Sequence, residues 1–293
     1  MYFSSENSNN VTYSVDMLRL KTYISYSKFT EIEFRFQTVW SEYVELKYTS
    51  GRILKFAYNY KIEIEEGKGF YFGFLHNTEK RSAEERSTYN FTIEFNPNKV
   101  GLNPILLYLL DISDEWYIKS LDMACDLKVN ILDIIYDKGR KRKVKTDSNG
   151  FDDKTYYLGK GDKRVKIYNK KIESNLDIQG DLTRVEISRE YDDFPIKNMV
   201  LYKFDDVFPE LFLNQYLYSF ADYKNKTLLA ILYAVQNGFP INDLTRDYKN
   251  KIKNLLEGGN KIKFDKKAAT KAVNQVIFIY FMRRERKNPV HFR

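Results

Sequence analysis

The run Lys163-Arg164-Val165-Lys166-Ile167-Tyr168-Asn169-Lys170-Lys171-Ile172-Glu173 alternates polar and apolar residues as far as Lys170. A strand sends successive side chains to opposite faces. Val165 and Ile167 therefore point to a core, while Arg164, Lys166, Tyr168 and Lys170 share the other face. The run Leu182-Thr183-Arg184-Val185-Glu186-Ile187-Ser188-Arg189 repeats the period, with Val185 and Ile187 inward and Arg184, Glu186 and Ser188 outward. Between them, residues 174–181 supply Asn, Asp and Gly for a turn. Antiparallel pairing would align the two polar faces. Glu173 has the opposite parity to Tyr168 and reaches that face only through a bulge or turn after Lys170.

A third strand completes the pattern. In Ile118-Lys119-Ser120-Leu121-Asp122-Met123-Ala124-Cys125-Asp126-Leu127, Asp122, Ala124 and Asp126 share one face, and Leu121, Met123, Cys125 and Leu127 share the other. Two acids on one face repel, and each weakens the other's ionisation. A divalent cation relieves that penalty, and carboxylate oxygens suit magnesium and manganese. The face is either a metal site or an acidic solvent face. Glu186 either completes a three-carboxylate site or pairs with Arg184 or a lysine. Tyr168 stands among cations, which favour its phenolate. Ionising a free tyrosine at neutral pH costs roughly 4 kcal/mol, and Arg164 and Lys166 can offset part of it. The same cations can hold a phosphate as charge develops on it. Against this stands the bland reading that Tyr168 is one packing residue among 24 tyrosines.

Outward from these strands, alternation predicts further strands at residues 32–36, 52–56, 60–64 and 90–95, the first of them beginning near Glu31. Residues 117–129, 155–158, 164–170 and 183–188 form the second strand-rich block. Residues 77–87 and the basic stretch 137–145 are expected loops, and 102–110 a short helix. After residue 200 the spacing turns helical, at 211–223, 227–237, 244–257 and 265–286, with Asp265 as a cap and Gly238 and Gly258-Gly259 as stops. The expectation is an α+β fold. A catalytic core over residues 1–200 carries a central antiparallel β-sheet flanked by helices. A mostly helical C-terminal region, 201–293, follows and serves DNA binding or dimer formation.

Composition sets the outer bounds. The chain has 293 residues, 43% hydrophobic and 30% charged, with a net charge of +8. This is a globular balance, and the basic excess suits an anionic partner. The longest apolar run, residues 276–282, is too short for a membrane span. No basic stretch followed by an apolar one opens the chain, so a cytoplasmic protein with no membrane partner is expected. The single cysteine, Cys125, excludes an internal disulfide and a cysteine-based zinc site. Only His76 and His291 are present, far apart in sequence, so two histidines on one strand cannot hold a metal. Any metal must be held by carboxylates. Arg140, Lys141, Arg142 and Lys143 form a basic loop, and Arg283 and Arg284 end the last helix. Both groups either contact a DNA backbone or are solvated charge, which also suits a helix C-terminus.

Four pieces occur in one order: Leu121-Asp122-Met123-Ala124-Cys125-Asp126, Tyr156-Tyr157-Leu158-Gly159, Lys166-Ile167-Tyr168-Asn169-Lys170-Lys171-Ile172-Glu173 and Thr183-Arg184-Val185-Glu186. Together they resemble the Rep_trans family, rolling-circle replication initiators of plasmids in Gram-positive bacteria. Ile93-Glu94-Phe95-Asn96-Pro97-Asn98-Lys99 also looks like replication-protein sequence, with no chemistry attached to it. Leu121 and Asn169 depart from the pattern, where a basic residue and an aspartate are common. The resemblance implies that Tyr168 attacks a phosphodiester at a plasmid double-strand origin, giving a 5′-phosphotyrosyl enzyme and a free 3′-hydroxyl primer. It implies Mg2+ or Mn2+ on Asp122, Asp126 and Glu186, a homodimer, and recruitment of a host helicase. A conjugative relaxase of the related MOBT type would use the same chemistry on a transfer origin. The absence of a helix-turn-helix pattern before the strands favours the replication initiator. A non-catalytic origin-binding regulator is the alternative from a different class.

Overall fold

The structure, a computed structural model, describes residues 4–6, 11–41, 45–48, 58–76, 88–136, 142–146, 154–159, 163–201, 208–213, 226–236, 239, 241–257 and 260–282. The elements begin with β1 (Ser4–Glu6), β2 (Val11–Ser25), α1 (Tyr26–Thr38), β3 (Glu45–Tyr48), β4 (Tyr58–Glu65), β5 (Lys68–His76) and β6 (Thr88–Phe95). Then come α2 (Pro97–Val100), α3 (Pro104–Leu110), β7 (Tyr117–Leu127), β8 (Ile134–Tyr136), β9 (Arg142–Thr146), β10 (Lys154–Leu158), β11 (Lys163–Asn169), α4 (Lys170–Glu173) and β12 (Thr183–Pro195). The chain continues with β13 (Leu211–Leu213), α5 (Lys226–Gln236), α6 (Arg246–Glu257), β14 (Asn260–Lys261) and α7 (Lys266–Tyr280).

The architecture is α+β, as expected. The main sheet has 11 strands in the order β3-β4-β5-β6-β2-β7-β12-β11-β10-β9, with β1 beside β2. All its pairings are antiparallel. A small second sheet runs β14-β13-β8. The centre of the main sheet is β2, a 15-residue strand that precedes the first strand expected from the sequence. Tyr13, Val15, Leu18 and Leu20 bury one of its sides. The parity changes between Val15 and Leu18 because the register with β7 shifts there: Val15 faces Met123 and Met17 faces Asp122, leaving Asp16 as an extra residue. Such a bulge re-aims a side chain without ending the strand.

Three expectations are corrected. Residues 32–36 lie on α1 and not on a strand. Ile32, Phe34 and Phe36 do alternate, but Phe29, Ile32 and Phe36 are the buried set, a helical spacing, and Phe34 is 64% exposed. Residues 211–213 open a strand where a helix was expected, because Leu211 pairs with Tyr136 and its neighbours follow. Residues 142–146 are strand β9, not loop, paired with β10. The expected strand at 52–56, the loop at 77–87 and the glycine stops at Gly238, Gly258 and Gly259 lie outside the described residues.

Helices cover one side of the sheet. On α1, Phe29 stacks on Tyr89 and Phe36 on Phe72, with ring centroids 4.5 and 5.0 Å apart. On the same side α7 buries Ala268, Ala269, Ala272, Val273, Val276, Ile277 and Tyr280 in one core with Tyr13, Met123 and Cys125. Asp265 caps α7 by accepting from the amides of Lys267 and Ala268, and its own amide donates to the Tyr13 hydroxyl at 2.6 Å. Leu228, Leu232 and Val235 of α5, Ile252 of α6 and Ile241 from the segment between them form a second, smaller cluster. Among the described residues no helix is long and apolar enough to cross a membrane. The opposite side of the sheet carries its polar residues.

Candidate active site

Register assembles the site on that polar side. Tyr168 on β11 stands opposite Arg184 on β12, which stands opposite Asp126 on β7. One row along, Lys166, Glu186 and Ala124 are partners, and beyond them Arg164, Ser188 and Asp122. The three strands thus align their polar faces as antiparallel pairing requires. After Asn169 the chain makes a single helical turn, α4, in which the Asn169 side chain accepts from the amide of Ile172. That turn brings Lys170 and Glu173 together at 2.6 Å and supplies the change of direction that Glu173 needs.

Tyr168 is only 4% exposed. Its hydroxyl donates to Glu186 Oε2 at 3.2 Å. Lys166 Nζ lies 4.0 Å from the ring centroid and 3.8 Å from the same Glu186 oxygen, and Lys170 Nζ lies 5.8 Å from the ring. The cations were expected to favour the phenolate. Burial and then the Glu186 charge instead push the Tyr168 hydroxyl well above the ordinary tyrosine value, with Arg184 working the other way. Loss of this proton therefore needs an acceptor, and Glu186 is in contact with it. Burial raises Glu173 as well, but hydrogen bonds from Lys170 and Ser174 outweigh that and hold its carboxyl below the usual range.

The carboxylates divide into two kinds. Asp126 receives both Nε and Nη2 of Arg184, at 2.6 and 2.8 Å, a bidentate pair. Asp122 is pushed up to about 6, first by burial and also by the charges of Glu186 and Asp16, while Ser188 and Arg164 oppose the shift. Among the described residues no group of three His, Cys, Asp or Glu side chains is arranged to hold a metal ion. As the side chains stand, Asp122 and Glu186 offer oxygen donors of the right chemistry, and Asp126 would have to leave Arg184 to join them.

Two participants were not foreseen. Asp16, the bulged residue of β2, accepts from Arg184 Nη1 at 3.0 Å and from Asn96 Nδ2 at 3.0 Å. Asn96 also caps α2, and Asn98 Nδ2 donates to the Val15 carbonyl at 3.1 Å. The Asn96-Pro97-Asn98 stretch, to which the sequence attached no chemistry, thus braces the bulge that carries Asp16. Arg184 was seen only as a possible partner of Glu186, yet it ties Asp16 and Asp126 together. Of the expected DNA contacts, Arg142 and Lys143 lie on β9 opposite Leu158 and Tyr157. Arg140, Lys141, Arg283, Arg284 and His291 lie outside the described residues.

The fold and site together define an antiparallel-sheet α+β protein with a buried tyrosine, a carboxylate acceptor and lysines on its polar face. No protein-family model matches the chain, and no curated protein matches it in sequence. Among solved structures, a rolling circle replication initiator protein from Geobacillus stearothermophilus is similar at 16% identity. That match covers 84% of this chain and 97% of that one, with a TM-score of 0.41, a likeness too loose to carry an argument about activity.

Proposed function

We propose that the chain is a tyrosine-dependent DNA-nicking enzyme that initiates rolling-circle replication. The observation that carries this reading is the contact between the Tyr168 hydroxyl and Glu186, beside Lys166. A nucleophilic oxygen, a proton acceptor and a phosphate-binding cation stand within one small cluster. In the proposed step the Tyr168 oxygen attacks the scissile phosphorus and its proton passes to Glu186. The phosphorus–O3′ bond breaks, leaving a 5′-phosphotyrosyl bond and a 3′-oxygen that takes up a proton. Lys166, with Arg164, would neutralise charge gathering on the non-bridging oxygens. Lys170 and Glu173 would hold the turn after the tyrosine in place. A covalent intermediate suits this task because the bond energy survives for rejoining, whereas attack by water would lose it.

A Mg2+ or Mn2+ held by Asp122 and Glu186, with Asp126 once freed from Arg184, would polarise the phosphate as a Lewis acid. Plasmid origin DNA is the proposed substrate. A homodimer and a helicase partner belong to the same reading through the resemblance of the four sequence pieces.

The test is covalent capture. Protein and Mn2+ are mixed with labelled, supercoiled plasmid from the host, and adducts are mapped by mass spectrometry. A 5′-phosphotyrosine at Tyr168, abolished by Tyr168→Phe with DNA binding unchanged, is the expected result. An adduct on another tyrosine would discard the site, and binding without any adduct would favour the non-catalytic regulator.

A further inference from the structure

The polar side of the sheet continues beyond Tyr168 across β2, β6, β5 and β4. Arg19 stands opposite Glu94, Glu94 opposite Tyr71, and Tyr71 opposite Lys61. This row is the reverse of the aromatic core, since Leu20, Ile93, Phe72 and Ile62 are buried on the other side. Over it lies a cleft of about 600 Å³, which Asp16 and Asn96 line at one end. Asp16 is ion-paired with Arg184, the cross-strand neighbour of Tyr168. Cleft and tyrosine therefore share the Asp16–Arg184 bridge. At ~4.8 Å per strand, Tyr168 is roughly 14 Å from Asp16, three strands away across the sheet.

The lining suits a polyanion with flat groups. Arg19, Lys61, Lys68 and Lys99 outnumber Asp16 and Glu94, and Tyr71 supplies an aromatic ring among them. Arg19 pairs with Glu94, Lys61 with Glu63 at 3.1 Å and Lys68 with Glu65 at 2.5 Å, so three of the four cations are held by carboxylates. Lys99 is exposed. At the far rim Gly67 turns at a φ of 70°, a Cβ on Gly69 would sit 2.1 Å from the Ile62 carbonyl oxygen, and Lys68 between them also lines the cleft.

We infer that this cleft carries the single-stranded DNA that flanks the scissile phosphate, with Tyr71 stacking a base and Lys99 and Arg19 meeting the backbone. The inference rests on the nicking reading and extends it to a site across β4, β5, β6 and β2. Four cations against two acids favour an anionic polymer, and cations beside an aromatic ring are what proteins use to hold single strands without sequence preference. Sequence choice would come from elsewhere, because phosphate contacts position a strand and do not read it.

The test needs neither metal nor cleavage. Fluorescence anisotropy of a labelled oligothymidylate of about 15 nucleotides is measured in chelator over a salt series. The full chain is compared with Tyr71→Ala/Lys99→Glu and with Tyr71→Phe. The double variant should bind ~10-fold or more weakly with a shallower salt dependence, and Tyr71→Phe should bind like the parent. A matching thermal midpoint for the double variant would show that the fold is kept. Parent-like binding by the double variant would overturn the inference, as would competition by free thymidine monophosphate as strong as by the oligomer. The adduct assay run beside it separates the two ideas. Adducts with unimpaired binding in the double variant sink the cleft alone, and cleft-dependent binding with no adduct sinks the nicking reading alone.

Discussion

Within the Tyr168 cluster, burial acts in the same direction on two acids that share a face, favouring the protonated form of each. It keeps the Tyr168 proton on and makes Glu186 the acceptor for it. It also lifts Asp122 to about 6, so the folded chain prefers a neutral carboxyl there. The sign follows from that direction. Stability from Asp122 is full below its ordinary value and is lost as pH rises through about 6. In chelator, Asp122→Asn should therefore stabilise the protein by about 1–3 kcal/mol at mildly alkaline pH and by nothing at about pH 4. Urea unfolding midpoints at the two pH values decide it. A destabilised Asn variant at the higher pH would mean that the aspartate charge is already compensated. The alternation around Tyr168 and Glu186 made their shared face legible in the sequence. Their contact was not, because parity gives a face but not a distance. Nor could it show that Arg184 takes Asp126, since an arginine on the same face reaches any of several acids.

Strands with unbroken alternation, such as β6, β11 and β12, were readable from residue types alone. β2 was missed although it is the longest strand, because the bulge at Asp16 puts two outward residues in succession and breaks the period. α1 was misread for the reverse reason: residues 32–36 satisfy both periods, and only Phe29 one turn earlier decides for the helix. β13 is three residues long, too short for either period to register. The bulge also makes a distinct prediction. Asp16→Ala should leave β2 paired, since the backbone insertion remains, and cost about 1–3 kcal/mol through its unpaired partners on Arg184 and Asn96. Deleting Asp16 removes the insertion and leaves Val15, Met17 and Leu18 in plain alternation opposite Met123, Asp122 and Leu121, so Tyr13, Val15, Leu18 and Leu20 all keep the core side. Far-ultraviolet circular dichroism and thermal melting should find both the substitution and the deletion folded. An unfolded deletion would show that β2 needs the bulge itself.

The whole molecule separates two tasks by side. Helices α1 and α7 cover the back of the sheet and supply the core, and the front, which neither helix of that pair covers, is where the proposed chemistry and the proposed strand belong. The α5–α6 cluster has few buried residues beside the main core, so local opening should cost less there. Native-state hydrogen exchange should find amides of α5 and α6 exchanging faster than those of β2 and β7, and equal protection would show a single cooperative unit. The back of β7 adds one more consequence. Cys125 is fully buried on the strand side opposite Asp122 and Asp126, and its thiol is raised by burial. As the chain's sole sulfhydryl, it is a built-in clock. A maleimide should fail to react with the native protein except at the rate at which the central strands part, and a DNA strand bound across the front should slow that clock without touching the sulfur.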